Sequence, residues 1–183
     1  MLIGNKVLLR AMDRVDAPLL MQYLNDPLLR EMQCNPMLPT TFGMVERSIA
    51  QSGTHVNQID FTIVDRVDNQ VVGFVHLTDL DWISRNGQLG ILIGDPARQG
   101  KGLGSEAMTL LVDYAFSSLA LHRVWLRVLD LNQRALSLYD RLGFQREGVL
   151  KGHVFRQGGF RDVILLAILR GQPVRTLPVA DKL

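Results

Sequence analysis

The chain has 183 residues, 47% of them hydrophobic and 21% charged, so a substantial core is available and extensive disorder is excluded. Its 20 Lys and Arg residues nearly balance 18 Asp and Glu residues, and the net charge of +2 argues against a nucleic-acid-binding coat. Cys34 is the single cysteine, which excludes an intrachain disulfide and a cysteine-based zinc cluster. A catalytic thiol stays formally open, although free cysteines are more often small core residues.

The sequence contains no recognisable export signal or membrane span. Residues Met1–Lys6 lack a basic segment followed by a long apolar stretch. The apolar run Val163–Leu169 has seven residues, which suits a buried strand and is too short to cross a bilayer. We therefore expect a cytoplasmic protein with neither a membrane nor a nucleic-acid partner.

The first predicted elements are a strand and a helix. Val7–Arg10 predicts the opening strand, and Asp13 or Asp16 can cap a helix that ends near Leu24. Three prolines between residues 27 and 39 then predict a loop with short helical turns.

A second helix and an antiparallel meander follow. Thr40 or Thr41 can cap the helix, which ends near Gly53. Polar turns separate the apolar runs beyond it, which is typical of hairpin-connected strands. The three predicted meander strands are Phe61–Val64, Val71–Leu77 and Gln88–Ile93.

The second half of the chain alternates strands and helices. After a glycine-rich loop, the predicted elements are a helix over 104–119, a strand over 124–129, a helix over 132–142, and two strands over 144–155 and 160–169. Gly143 stands at the usual position after a helix end. A mixed sheet with helices on both faces accommodates this order.

The segment Asp95–Ser105 joins a predicted strand to a predicted helix and has three glycines within five residues. Glycines expose backbone N–H groups and a helix start adds partial positive charge, so the segment predicts a phosphate site rather than a flexible connection. This segment does not match the pattern of a P-loop. Five residues separate Gly94 from Gly100, where a P-loop has four, and Lys101 is followed by Gly102 rather than a hydroxyl residue.

A dinucleotide-binding motif matches better but not fully. Residues 102–107 fit the pattern G-x-G-x-x-A, and Asp130 closes the following strand. The pattern should follow its strand almost at once, yet eight residues separate Ile93 from Gly102. One strand–helix–strand unit is also too little for a full dinucleotide fold.

A third interpretation rests on three blocks of sequence. Gln99-x-x-Gly102-x-Gly104 resembles the acetyl-CoA pyrophosphate loop, Arg/Gln-x-x-Gly-x-Gly/Ala, of the GNAT family of N-acetyltransferases. Residues 132–144 resemble the family signature Asn-x-x-Ala-x-x-x-Tyr-x-x-x-Gly-Phe. Residues 158–163 are similar to the closing hairpin of the branch containing spermidine and ribosomal-protein acetyltransferases. The blocks occur in the family's order, and the resemblance covers about residues 6–170.

The resemblance implies a fold and a domain organisation. The expected class is α/β (α+β), with the GNAT fold: a mixed central β-sheet of six to seven strands, splayed in the middle, with helices on both faces. We expect one N-acetyltransferase domain over residues 1–170 and a C-terminal tail over 171–183.

The resemblance also implies acetyl-CoA as cosubstrate and no metal. In the family, the strand before the loop splays from its neighbour and offers backbone groups to the pantetheine arm, and an N–H on it, here near Leu92, meets the oxyanion. The expected cofactor-binding residues are Ile91, Leu92, Ile93, Arg98, Gln99, Gly100, Lys101, Gly102, Leu103, Gly104, Ser105 and Asn132.

Tyr139 is the expected catalytic residue. The resemblance implies that the tyrosine of the second block donates a proton to the leaving thiolate. A phenol with a pKa of about 10 can do so at neutral pH when it is held within hydrogen-bond reach. The structural alternative is a helix tyrosine that packs on the sheet, just as Asn132 can serve as a helix N-cap.

The sequence does not decide which group acts as the general base. An alkylammonium with a pKa of about 10.4 is only ~0.1% neutral at pH 7, so the attacking amine benefits from a base. Many relatives have Glu on the strand before the loop, where this sequence has Gln88, which cannot accept a proton. The remaining choices are His76, Asp79 or Asp81 through water, or an amine that is already partly neutral.

The acceptor is expected between the N-terminal helices and the final hairpin. Polyamine acetyltransferases hold cationic substrates with acidic side chains, and this region offers Asp26, Glu31 and Glu46 among many apolar residues. That is not obviously a polyamine pocket, so peptide N-termini, amino sugars, amino acids and small amine drugs stay open. His153 and Arg156 could contact an acidic acceptor, with solvated surface as the alternative.

The sequence thus predicts an acyltransferase that moves the acetyl group of acetyl-CoA to a primary amine. The acceptor is a small molecule or a peptide N-terminus, and attack is direct in a ternary complex. The alternative is a non-catalytic acyl-CoA-binding sensor or partner module, which needs the loop but neither Tyr139 nor a base. Many relatives pair as homodimers, and a homodimer is the expected assembly.

Overall fold

One mixed sheet of eight strands organises residues 1–35, 37–51 and 57–174, which are the residues that the computed structural model describes. The strands are β1 (Leu2–Ile3), β2 (Val7–Ala11), β3 (Ile59–Asp65), β4 (Val71–Asp81), β5 (Asn86–Ile93), β6 (Arg123–Leu129), β7 (Gln145–Arg156) and β8 (Gly159–Leu169). The helices are α1 (Ala17–Asn25), α2 (Pro27–Glu31), α3 (Phe42–Gln51), α4 (Leu103–Ser117) and α5 (Gln133–Leu142).

The strand order is β1-β2-β3-β4-β5-β6-β8-β7, and all neighbours are antiparallel except β5 and β6. The predicted α/β fold class with a mixed sheet is confirmed, but the sheet has eight strands where six to seven were expected. The two-residue strand β1 was not predicted, because Leu2 and Ile3 are strand residues through pairing with Leu9 and Leu8 rather than through a pattern of their own.

The parallel β5–β6 ladder is very short. Its pairs run from Asn86–Arg123 to Gln88–Trp125, which leaves Leu89–Ile93 without a β6 partner in the described chain. Beyond Gln88 the two strands separate, and β5 keeps its other edge paired with β4. The predicted splay in the middle of the sheet is therefore present.

Two clusters of buried side chains cover the two faces of the sheet. The larger one packs α4 and α5 against the sheet, with Met108, Leu111 and Leu126 almost fully buried. The smaller one packs α1 and α3 over β4, where the rings of Tyr23 and Phe74 meet at 6.2 Å between centroids. Helices therefore lie on both faces, as the sequence predicted.

The start of α4 is fixed by one carboxylate. Glu106 accepts hydrogen bonds from the backbone N–H groups of Asn5, Lys6 and Val7, at 2.9, 2.6 and 2.8 Å. A side chain at Gly4 would collide with it, since a Cβ there would lie 2.7 Å from Glu106 Cδ. The β1–β2 turn thus holds the first turn of α4 in place.

The predicted helix boundaries need small corrections. Asp13 caps a 3-10 turn at Arg14–Asp16, and α1 begins only at Ala17. Thr41 receives the Met44 N–H at 3.3 Å before α3, and the predicted end near Gly53 lies outside the described residues. Most of the predicted tail, 175–183, also lies outside them. None of the described helices is long and apolar enough to cross a membrane.

Asp16 links the first helical segment to the sheet. The carboxylate is buried, and it accepts hydrogen bonds from Arg10 at 2.7 and 2.8 Å, from Thr62 at 2.8 Å and from the Asp13 N–H at 3.0 Å. Burial alone would raise the pKa of Asp16, but the bonds from Arg10, Asp13 and Thr62 outweigh it and lower the pKa below its usual 3.8.

Asp16→Asn should lower the free energy of unfolding by about 2–4 kcal/mol at pH 7, because it leaves Arg10 without its charged partner. Since the folded pKa of Asp16 is depressed, its contribution is present above about pH 5 and is lost as pH falls through the folded value. Urea unfolding from pH 7 to pH 2.5 should therefore show a shallower acid loss in the variant. An identical pH profile for both proteins would contradict this role.

Candidate active site

The separation of β5 from β6 exposes a backbone edge beside the glycine loop. Ile91 and Ile93 direct their side chains toward α4, where they contact the position of Gly104, whereas Leu92 packs with the smaller core cluster. The side chains of this segment are thus core residues, while the backbone groups that do not pair with β4 face the gap, where the Ile93 carbonyl accepts from Gln99 Nε2. Both roles that the sequence suggested for Ile91–Ile93 are compatible.

The glycine loop adopts a conformation that favours glycine at two positions. Gly100 and Gly102 have φ angles of +82° and +84°, in the left-handed region. Gln99 donates from Nε2 to the Ile93 carbonyl at 3.0 Å and receives Arg134 on its Oε1 at 2.5 Å. Gln99 therefore fastens the loop to the end of β5 and to α5.

The first turn of α4 presents unpaired backbone donors. Gly102 is the N-cap residue and supplies no side-chain cap, so the N–H groups of Leu103, Gly104 and Ser105 are open to an anion. A Cβ on Gly104 would lie 3.3 Å from Ile93 Cγ1, which shows how closely α4 approaches β5. Lys101 lies at the same turn, and its carbonyl accepts Lys6 Nζ at 3.2 Å.

Arg98 has a different role from its neighbours in the loop. Its guanidinium pairs with Asp65 at 2.7 Å, with Asp68, and with Asp95 at 3.6 Å. These contacts raise the pKa of Arg98 and use its charge to tie the loop to the β3–β4 turn. The Arg98 N–H also donates to the Asp95 carbonyl at 3.0 Å, so both the side chain and the N–H of this predicted cofactor-binding residue are engaged within the protein.

Helix α5, which Arg134 links to Gln99 of the loop, has Asn132 at its start and Tyr139 further along. Asn132 is the N-cap, accepting from the Ala135 N–H at 3.1 Å, and its Nδ2 donates to the Met32 carbonyl at 3.3 Å. Tyr139 is buried, with its ring 5.7 Å from that of Phe144. Burial, followed by the nearby Cys34 thiol, raises the pKa of Tyr139, so the phenol keeps its proton at neutral pH.

The candidate bases lie at different distances from the gap. His76 pairs with Gly90 of the splayed segment, and a Cβ on Gly90 would lie 2.2 Å from His76 Nε2. Burial lowers the pKa of His76 against the opposing effect of Asp60, so its imidazole is neutral at pH 7. Asp81 instead accepts the N–H groups of the β4–β5 turn at residues 83 and 84, and Asp79 lies beside that turn.

A cavity of about 690 Å³ opens on the sheet face opposite α4, between the segment after α2, strand β6 and the end of β7. This is the region where the acceptor was expected, and such a volume is typical of small-molecule sites. It is lined by Glu31, Cys34, Asn35, Met37, Arg127, His153, Val154, Phe155, Arg156 and Gln157.

Most of the lining residues were not predicted as site residues, and two of them, Arg127 and Cys34, are chemically functional. Arg127 lies on the same face of β6 as Trp125, because side chains alternate along a strand. An arginine within the apolar run 124–129 was the one sequence feature that could have marked it as a functional residue. Cys34 also lines the cavity. Burial raises the pKa of its thiol, and Arg127 and Arg156 oppose this without reversing it, so a thiolate nucleophile is not favoured.

Arg156 ties the segment after α2 to the end of β7. It is 6% exposed, and it donates to the carbonyls of Gln33 at 3.0 Å and of Asn35. Its other terminal nitrogen donates to the Phe155 carbonyl at 2.7 Å. The wall of the cavity therefore depends on a buried guanidinium. Within residues 1–35, 37–51 and 57–174, no three His, Cys, Asp or Glu side chains form a group that could hold a metal.

A family profile described as "Acetyltransferase (GNAT) domain" matches residues 6–145, more than half of the chain. The chain belongs to the GNAT family. The predicted resemblance is thereby confirmed, and the mixed, splayed sheet of this GNAT domain agrees with it.

Named relatives fall in the predicted branch. Spermidine N(1)-acetyltransferase of Vibrio cholerae is 33% identical over 110 residues, which are 60% of this chain and 63% of the relative. The chain thus spans slightly less than two thirds of that relative. The [ribosomal protein uS5]-alanine N-acetyltransferase of Escherichia coli is 28% identical over 145 residues, which are 78% of this chain and 72% of the relative.

The solved structures extend the likeness to almost the whole fold. Crystalline spermidine N-acetyltransferase of Vibrio cholerae, in complex with CoA and spermine, superimposes with a TM-score of 0.85. The identity is 27%, and the match covers 92% of this chain and 98% of that one. A further structure of that enzyme, with a TM-score of 0.78, is described as dodecameric.

Arg156→Met should release the segment at residues 33–35 while keeping side-chain volume near β7. We expect faster hydrogen–deuterium exchange in peptides covering residues 29–38, and a loss of about 1–3 kcal/mol in the free energy of unfolding. Arg146→Met, an exposed change on the same strand, is the control and should alter neither measurement. Unchanged exchange in the Arg156 variant would show that the segment is held by other contacts.

Proposed function

We propose that this GNAT domain is an N-acetyltransferase that moves the acetyl group of acetyl-CoA to a primary amine by direct attack in a ternary complex. The observation that carries the proposal is the separation of β5 from β6 shortly before a glycine loop that leads into the uncapped first turn of α4. Family membership and the CoA-bound relative support it.

The loop fits the diphosphate of coenzyme A. The N–H groups from Gly100 to Ser105 and the positive end of α4 would hold its oxygens, and the positive φ at Gly100 and Gly102 lets the backbone approach them. The Gln99 N–H already donates to the Pro96 carbonyl at 3.2 Å. The amides of the pantetheine arm would then pair with the open edge of Ile91–Ile93, and the N–H near Leu92 would stabilise the oxyanion.

The chemistry forms a C–N bond and breaks the C–S bond of the thioester. The amine loses a proton, for which His76 is the best placed of the three candidates, because it is neutral and lies against the splayed strand. Tyr139 would give its proton to the leaving thiolate, since its raised pKa keeps the phenol protonated.

The non-catalytic alternative is not favoured by the site. A CoA-binding sensor needs the loop and the open strand edge but has no use for a proton-donating phenol. Tyr139 is held in the α5 block that also supplies Asn132 and the contact between Arg134 and Gln99. Packing against Phe144 would also account for a buried tyrosine, so the preference for a catalytic protein rests on the family and on the acetyltransferase relatives.

We place the protein in the cytoplasm as a homodimer or a larger homo-oligomer, acting on a small amine or a peptide N-terminus. The described helices include no membrane-spanning candidate, and a related enzyme forms a dodecamer. The named relatives are a spermidine and a ribosomal-protein acetyltransferase, which supports acceptors of both kinds.

Tyr139→Phe separates catalysis from binding. Removing the hydroxyl should lower kcat by about 100-fold while the Kd for coenzyme A changes less than about twofold, because a general acid contributes on this scale. Thiol release with acetyl-CoA and an amine panel measures the first quantity, and isothermal titration calorimetry measures the second. Wild-type turnover in the variant would remove Tyr139 from the mechanism.

Gly102→Asp should abolish measurable binding of coenzyme A, since it puts a carboxylate beside the phosphate loop at a positive φ. Gly171→Asp is the matched control, because Gly171 also has a positive φ of +91° and has open space around it outside the loop. Calorimetry should show binding in the control and none in Gly102→Asp. Normal binding by both variants would make the loop assignment wrong.

A further inference from the structure

Of the three acidic side chains that could hold a polycation in the acceptor region, two are already engaged in contacts within the protein. Asp26 caps α2 by accepting the Leu29 N–H at 2.9 Å, and Glu46 pairs with Arg14 at 2.6 Å. Glu31 is the one of the three that lines the cavity, where its Oε2 is buried without a hydrogen-bond partner among the described residues. A single carboxylate is a weak recognition device for a molecule with several ammonium groups.

The same cavity contains two guanidiniums with unused donors. Arg156 is more than nine-tenths buried, yet its Nε has no partner among the described residues. Arg127 Nε is likewise buried without a partner, and no ion pair of Arg127 occurs in the described chain. A buried N–H donor without a hydrogen-bond partner lowers the stability of the fold. These two donors therefore indicate that a bound ligand supplies the acceptor.

The cavity adjoins the catalytic side of the molecule. Cys34 lines it, and the Cys34 thiol is near enough to Tyr139 to influence that phenol. Asn132 at the start of α5 is bonded to Met32, in the segment that forms the cavity wall. A small molecule anchored here would therefore lie close to the proposed acetyl-transfer centre.

We propose that the cavity selects an acceptor amine that also carries a carboxylate, of the amino-acid class, and that Arg127 and Arg156 bind this carboxylate. The inference rests on the proposed acetyltransferase function and adds its substrate class. Guanidinium donors match the geometry of a carboxylate, and Glu31 in the same cavity can receive the ammonium of the incoming molecule.

The charges of the cavity favour this class over two others. Two guanidiniums and one carboxylate give these three side chains a net charge of +1, which repels a polyamine. A phosphate dianion would bring two negative charges into a cavity that already contains Glu31, whereas a carboxylate brings one. The zwitterion of an amino acid matches both signs that line the cavity.

The test compares acceptors that differ only in the carboxylate. The twenty free L-amino acids, their carboxamides, spermidine, spermine and glucosamine 6-phosphate are assayed by thiol release with acetyl-CoA. Lysine against cadaverine and ornithine against putrescine add matched pairs. The proteins are the wild type, Arg127→Gln, Arg127→Lys and the exposed control Arg146→Gln.

Arg127 is the residue to change, because it has no hydrogen bond or ion pair to lose within the described chain, unlike Arg156. In the wild type and in Arg146→Gln, at least one amino acid should exceed its carboxamide or decarboxylated partner by about tenfold or more in kcat/KM. Arg127→Gln should remove most of that preference through a higher KM, and Arg127→Lys should restore part of it.

A second measurement is independent of turnover. Saturation-transfer NMR records binding of the same free amino acids and carboxamides to protein saturated with coenzyme A. Carboxylate-dependent binding in the wild type and in Arg146→Gln that is lost in Arg127→Gln supports the inference, even if no acceptor is acetylated and the proposed function fails.

The contrary results are also distinct. Acetylation of polyamines, carboxamides or glucosamine 6-phosphate as well as or better than every amino acid would overturn the inference and leave the acetyltransferase function standing. A carboxylate preference that persists in Arg127→Gln would overturn the assigned residue. Absence of both turnover and carboxylate-dependent binding would overturn function and inference together.

Discussion

The short parallel ladder between β5 and β6 is the constraint on which the rest of the molecule depends. Three pairs join the strands, and beyond Gln88–Trp125 each must satisfy its backbone by other means. The gap can persist because β5 is paired along β4 and β6 along β8. A stable sheet thus contains an interior edge, which ordinary sheets avoid, and a ligand with amide groups can complete it.

Much of this could be read from the sequence, where local chemistry decides the structure. The loop from Gln99 to Gly104, the capping by Asn132 and the helix end at Gly143 depend on neighbouring residues, and the structure has all three elements where they were expected. Roles that depend on distant partners were not readable. The three carboxylates around Arg98 come from two separate turns, and the cavity that includes Arg127 is closed by a segment 90 residues earlier in the chain.

The glycine loop and the cavity differ in how their charged side chains are paired. On the loop side, Arg98 is neutralised by aspartates, and the positive potential near Gly102 comes from the backbone dipoles together with Lys6, whose Nζ donates to the Lys101 carbonyl at 3.2 Å. On the cavity side, charged side chains are held against the sheet with few partners, and Arg156 also supports the backbone around Gln33. The first arrangement suits an anion shared by many enzymes, and the second suits discrimination among acceptors.

The hydrogen bonds that join Glu106 to the beginning of the chain also affect the charge near the glycine loop. Its carboxylate lies one helical turn after Gly102 and is matched by three amides of the chain's first residues. A shortened version that begins after β2 would remove those amides and leave an uncompensated negative charge near the glycine loop. It would also remove Lys6, whose Nζ donates to the Lys101 carbonyl, so trimming the beginning of the polypeptide would make the loop less positive in two ways.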